Sequence, residues 1–162
     1  MAAEPEETVQ ALQELIPRNH CWGCSPENEH GLQIKSYWDG DETICTWQSR
    51  APFFAGPTHV LNGGIIATLI DCHSVITAIG DRYRQDGRDV GSPPDIWCAT
   101  SSLNVSYVRP TPIDAPITLR ARVTHRDERR TTVWCTLSAN GHECARGEVV
   151  AIVVPESWRA AQ

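Results

Sequence analysis

Positive charge is scarce in this chain. Lys and Arg number 14 against 20 Asp and Glu, a net charge of -6. That argues against nucleic acid as the main partner, because nucleic-acid binders present a basic face. Long hydrophobic runs are missing too. The longest apolar stretch, Leu61 to Gly80, is broken by Asp71 and His73, groups a membrane-spanning helix does not normally carry at its centre. No membrane association is expected. The opening "MAAEPEETVQ" is acidic and polar rather than basic then apolar, so a cytoplasmic location is the expectation. The cysteines number 7, which is odd, and in that setting they read as reduced thiols. There is no Gly-x-Ser-x-Gly elbow, P-loop or Rossmann fingerprint, and no internal repeat or low-complexity segment.

What is present fits one domain of 162 residues, long enough to bury a real core. Residues 5–16 suggest an amphipathic helix with Val9, Leu12, Leu15 and Ile16 on one side, stopped by Pro17. "CWGCSPENEHG" is rich in turn formers. Period-two alternation predicts strands at 32–38 and 43–48, joined through "DGDE". From Gly63 to about Gly80 the period changes. Ile65, Ile66, Leu69, Ile70, Val75, Ile76 and Ile79 surround most of a helical wheel, the mark of a buried helix. "DRYRQDGRDVGSPPD" reads as a polar loop. Four strands follow, at 98–109, 117–125, 131–139 and 145–154, with Asn140-Gly141 as a hairpin turn. Strands running together beside one helix predict an α+β fold, an antiparallel sheet of about six strands wrapped around that helix.

Three segments carry a family likeness: "CWGCSPENEHGL", "GPTHVLNGGIIATLID" and "ATSSLNVSYVRPTP". With the order of elements they make residues 20–155 resemble a hotdog-fold thioesterase of the PaaI-like (phenylacetate-degradation) acyl-CoA group. Residues 1–19 then form a helical lead-in and 156–162 a C-terminal tail. The resemblance implies hydrolysis of an acyl- or aryl-acyl-CoA thioester by a homodimer or homotetramer with sites between subunits. It implies no cofactor beyond the coenzyme A of the substrate. One departure stands out. Where the family usually has histidine this chain has Asn62, which can hydrogen-bond but cannot titrate near neutrality. His59, three residues earlier, is the candidate substitute.

Thioester hydrolysis needs a place for the developing oxyanion and a group that activates water or attacks. A helix N-terminus offers unpaired N–H groups and a favourable dipole. Gly63 and Gly64 lie where the helix should begin, and without Cβ atoms they let a carbonyl approach; they could equally make a tight turn. The resemblance implies the Gly63 N–H as oxyanion donor, Asp71 as base or nucleophile, and Asn62 positioning substrate or water. It implies further that Thr100 reaches Asp71 from the neighbouring subunit. On the wheel Asp71 neighbours Ala67, Ser74, Val75 and Ala78, a side small enough to line a cleft. Cys72, His73 and Ser74 do not form a triad, since successive helical residues point about 100° apart. Gly64, His59, Arg109, Arg129 and Arg130 are the candidate substrate contacts, the arginines for coenzyme A phosphates. Arg126 belongs to the same hairpin cluster as the last two.

His20, Cys21, Cys24 and His30 could ligate zinc on paper. All fall within eleven residues, across a "SPEN" turn that explains itself structurally, so no metal is expected. The alternative to an enzyme is a hotdog module that binds an acyl-CoA or another small ligand without turning it over. A zinc-dependent interaction domain would rest on the Cys-rich entry alone.

Overall fold

The computed structural model describes residues 9–50 and 52–160. In chain order the elements are α1 (Leu12–Leu15), β1 (Tyr37–Asp39), β2 (Glu42–Trp47), α2 (Gly63–Gln85), β3 (Cys98–Tyr107), β4 (Ile117–Arg126), β5 (Arg130–Ala139), β6 (His142–Val153) and α3 (Glu156–Arg159). The strands form one antiparallel sheet in the order β1-β2-β4-β5-β6-β3. Helix α2 packs on its inner face, as the pattern of one apolar helix among alternating strands requires. Ile117, Leu119 and Ala121 of β4, Val133, Cys135 and Leu137 of β5, and Ala145, Val149 and Ala151 of β6 are buried beneath it. The opposite face carries Arg122, Trp134 and Glu148 side by side. Helix α2 is long and apolar enough by composition to cross a membrane, yet it is mostly buried here as the core helix.

Several boundaries differ from the sequence reading. Residues 5–8 of the expected first helix lie outside the described residues. Of its described part, residues 9–16, only Leu12–Leu15 is helical, Val9 is 79% exposed, and Gln13 is a buried polar residue. Residues 32–36 keep their alternation, with Leu32, Ile34 and Ser36 buried, but do not join the sheet. Their backbone bonds go instead to the Cys-rich loop, Leu32 N–H to the Trp22 carbonyl and Ile34 N–H to that of Gly23. Helix α2 continues five residues past Gly80, through a stretch that reads as loop because it is polar. Tyr83 anchors that extension in the core and Asp81 receives both arms of Arg126 (3.0 and 2.8 Å). The expected tail contains the helical turn α3. At Asn140-Gly141 both φ angles are positive, 51° and 76°, the two-residue hairpin turn anticipated.

His73 does not look toward solvent. Gln13 donates to the Ser36 hydroxyl, which lies 2.7 Å from His73 Nδ1, while His73 Nε2 faces the Thr43 carbonyl and hydroxyl (3.3 and 3.2 Å). Thr77 donates to the His73 carbonyl (2.7 Å) and meets the Thr43 hydroxyl. One arrangement satisfies every member: Ser36 donates to Nδ1 and Nε2–H donates to Thr43. This polar chain ties α1, the start of β1, β2 and α2 together, and it requires neutral imidazole. Burial lowers the His73 pKa from 6.5 to about 4, opposed by the Thr43 carbonyl. Below pH 6.5 the unfolded chain therefore takes up a proton that the folded chain refuses. Stability is expected to fall as pH drops from 6.5 toward 4, by on the order of 3 kcal/mol. Urea unfolding across that range checks this against a His73→Asn variant, which should lack that part of the slope. Equal slopes would contradict it.

Candidate active site

The N-terminus of α2 begins at Gly63. Asn62 is its cap, extended at φ -60° and ψ 135°, and its side-chain oxygen accepts from the N–H groups of Gly64 (2.8 Å) and Ile65 (3.3 Å). Capping uses up the second and third N–H groups. The first, on Gly63, has no acceptor among the described residues. Tyr107, at the end of β3, donates its hydroxyl to the Gly63 carbonyl (2.8 Å). Its ring lies 3.5 Å from where a Gly63 Cβ would stand. This end of the helix opens on a cavity of about 440 Å³ lined by Ala55, Val60, Gly63, Tyr107 and Arg109. His59 is close in chain, its carbonyl bonded to the Ile113 N–H, and its side chain is exposed.

Asp71 follows eight residues later, which at 1.5 Å per residue is about 12 Å along the axis. It belongs to a different cavity, of about 290 Å³, walled by Cys21, Val75, Ile79, Trp97, Cys98 and Trp158. Thr100 donates to Asp71 Oδ1 at 2.7 Å within the same chain. The expectation that Thr100 meets Asp71 from a neighbouring subunit is thereby corrected: β3 lies beside α2 in its own fold. A bulge between Thr100 and Ser102 leaves Ser101 without a register partner on β6. Such a bulge re-aims side chains at a strand end, and here it adjoins the Thr100–Asp71 bond. Burial raises the Asp71 pKa above the ordinary carboxylate value; Thr100 opposes this and negative charge at Cys21 adds to it. A partly desolvated carboxylate with one oxygen held leaves the other free to take a proton.

The remaining candidates divide between these two places. Arg109 and His59 stand with Gly63. Arg129 and Arg130 are exposed in a separate groove with Ser101, Asp127, Glu128 and Ile152, one residue from Thr100. Arg126 is committed to Asp81. The neighbours of Asp71 diverge as helical geometry demands, His73 into the core network and Cys72 toward Cys21 (3.7 Å between sulfurs). Of the four zinc ligands the sequence offers, His20 and His30 are exposed, His30 beside Glu29, while Cys21 and Cys24 come together with Cys72, which was not among them. The sequence reading missed Tyr107, Trp97 and Trp158 as walls, and Cys72 as companion to the Cys-rich loop. Tyr107 alone had a signal, as the last alternating residue of its strand.

The cap geometry makes a test. Asn62→Ala should cost about 1 kcal/mol of stability, while Asn62→Asp, which also caps, should cost little. Denaturant midpoints measure both. Equal loss in the two variants would mean that the side chain does not act as a cap.

The family model for the thioesterase superfamily matches residues 58–145. No curated protein matches the sequence. Among solved structures, a thioesterase superfamily protein from Shewanella loihica shares 33% identity, aligned over 85% of this chain and 96% of its own, with a TM-score of 0.63. A phenylacetic acid degradation-related protein from Ralstonia eutropha is 19% identical over 81% and 92%, TM-score 0.63. The Escherichia coli PaaI protein from the phenylacetic acid degradation operon is 14% identical over 76% and 81%, TM-score 0.61. The last two likenesses speak for the hotdog fold. With a family match across more than half its length, over the stretch that holds Gly63, Asp71 and Thr100, the chain belongs to the thioesterase superfamily.

Proposed function

We propose that the protein hydrolyses an acyl- or aryl-acyl-CoA thioester in a site completed by two copies of the chain. The observation that carries this reading is the Asp71–Thr100 pair in one cavity and, in another, a Gly63 N–H at a helix N-terminus that has no acceptor among the described residues. About 12 Å of helix separates them, so the two cannot serve one carbonyl within a chain. Strand β3 bears the Asp71 partner at one end and the Gly63 partner, Tyr107, at the other. It is also the terminal strand of the sheet, ten residues long, with Leu103 and Tyr107 exposed on it and Val108 exposed just beyond its end. A long open edge favours pairing with another strand. Antiparallel pairing of β3 with its own copy about a two-fold axis brings the Thr100 end of one chain to the Tyr107 end of the other. The two half-sites then meet twice per dimer.

In that site water sits against Asp71 and Thr100. As its oxygen attacks the thioester carbon, its proton passes to Asp71, and the carbonyl oxygen gains charge against the Gly63 N–H and the helix dipole. Collapse expels the coenzyme A thiolate, which takes the proton back. In this reading Arg129 and Arg130 on one side, and Arg109 and His59 on the other, would meet the phosphates of coenzyme A. The reading of a binding module without turnover drew on the missing histidine. Asn62 spends its oxygen on the cap, so that residue says little against catalysis.

Thiol release from a panel of acyl-CoAs tests the reading. Asp71→Asn should lower turnover at least about 100-fold with the fold intact by circular dichroism. Wild-type turnover in that variant would contradict the role of Asp71, and no release from any substrate by the wild type would favour the binding module.

A further inference from the structure

Outside the proposed catalytic groups, a cluster of three thiols lies in the wall of the Asp71 cavity. The sulfurs of Cys21, Cys24 and Cys72 all fall within 4.8 Å of one another. Cys21 and Cys72 are 3.7 Å apart, too far for a disulfide at about 2.05 Å. Thiolates bound at about 2.3 Å to a tetrahedral ion stand roughly 3.8 Å from each other. Hydrogen-bond donors point at two of the three sulfurs. Backbone N–H groups of Gly23 and Cys24 face the Cys21 sulfur, and the Asn19 amide donates to that of Cys24 (3.8 Å). The loop is fixed before any ligand arrives, by bonds from Ser25 N–H to the Cys21 carbonyl and from Ile34 N–H to that of Gly23. A Cβ on Gly23 would come within 2.4 Å of Cys72 Sγ. Only glycine lets this backbone lie so close over the thiol of the helix.

We infer that Cys21, Cys24 and Cys72 form a binding site for a thiophilic divalent cation, with zinc the best match. Three sulfur donors select zinc over magnesium or calcium, which prefer oxygen. Among the described residues the cluster contains no fourth side chain, and the cavity that Cys21, Cys24 and Cys72 line is also lined by Asp71 and Thr100. The fourth position therefore faces that cavity, open to water or to a ligand group. The bound ion would pin the Cys-rich loop to α2. The inference is independent of whether Asp71 hydrolyses anything.

Cobalt serves as the probe. The full chain is reduced and freed of metal with a chelator, its 7 thiols are confirmed by titration in denaturant, and Co²⁺ is added. The expected result is one equivalent bound, with thiolate-to-cobalt charge-transfer bands and the strong visible bands of a tetrahedral ion, displaced by Zn²⁺. Cys21→Ser, at the exposed member, should weaken binding by more than the roughly 100-fold that loss of an outer partner costs. Cys24→Ser should do the same, while Cys144→Ala, outside the cluster, should leave the bands unchanged. Absence of these bands from fully reduced wild type, or their survival in Cys21→Ser, would overturn the inference.

Discussion

A helix enclosed by its own sheet can offer chemistry only where the enclosure is incomplete, and for α2 that means its first turn and the side bearing Asp71. The proposed site follows from that constraint. The first turn is open because a chain entering a helix leaves N–H groups unpaired. Asn62 covers two of them and spares the one on Gly63. The Asp71 side is open because the sheet ends at β3 and the loop around Cys21 covers only part of the gap. A carboxylate in such a place is neither solvated nor lost in the core. Thr100 offsets some of its burial without neutralising it.

The same constraint separates the two groups. A helix is rigid over two turns, so a donor and a base on it cannot close on one substrate atom. In the proposed dimer, pairing of two copies through the open β3 edge would resolve this without altering either half-site. The arrangement also distributes the charged residues, leaving Arg129 and Arg130 with one half and Arg109 with the other.

The long helix and the four later strands were legible in the sequence because burial imposes strict periods, and both are long enough for the period to register. Residues 32–36 misled because alternation reports burial of one face and not the identity of the hydrogen-bond partner. The last turns of α2 misled for the opposite reason. Tyr83 and the Asp81–Arg126 pair hold a polar stretch helical through contacts distant in sequence. Of the candidate site, the Gly63 to Asp71 spacing could be read directly. The pairing of Thr100 with Asp71 in one chain could not, since it depends on β3 lying at the sheet edge and on a bulge that no local pattern signals. The thiol cluster escaped notice because Cys72 lies 51 residues from Cys21, and only the fold brings them together.

The central claim is that one chain contributes the oxyanion donor and another the base. Subunit exchange between two inactive variants tests it most directly. Gly63→Pro deletes the N–H at a helix position where proline fits, after an Asn62 backbone already extended as a following proline requires. Asp71→Asn removes the base from the other half. Mixed dimers then hold one doubly defective site and one intact site, so thiol release should rise well above that of either parent. If exchange is confirmed by mass, both parents are inactive and folded, and no activity returns, the site is built within a single chain and the account is wrong.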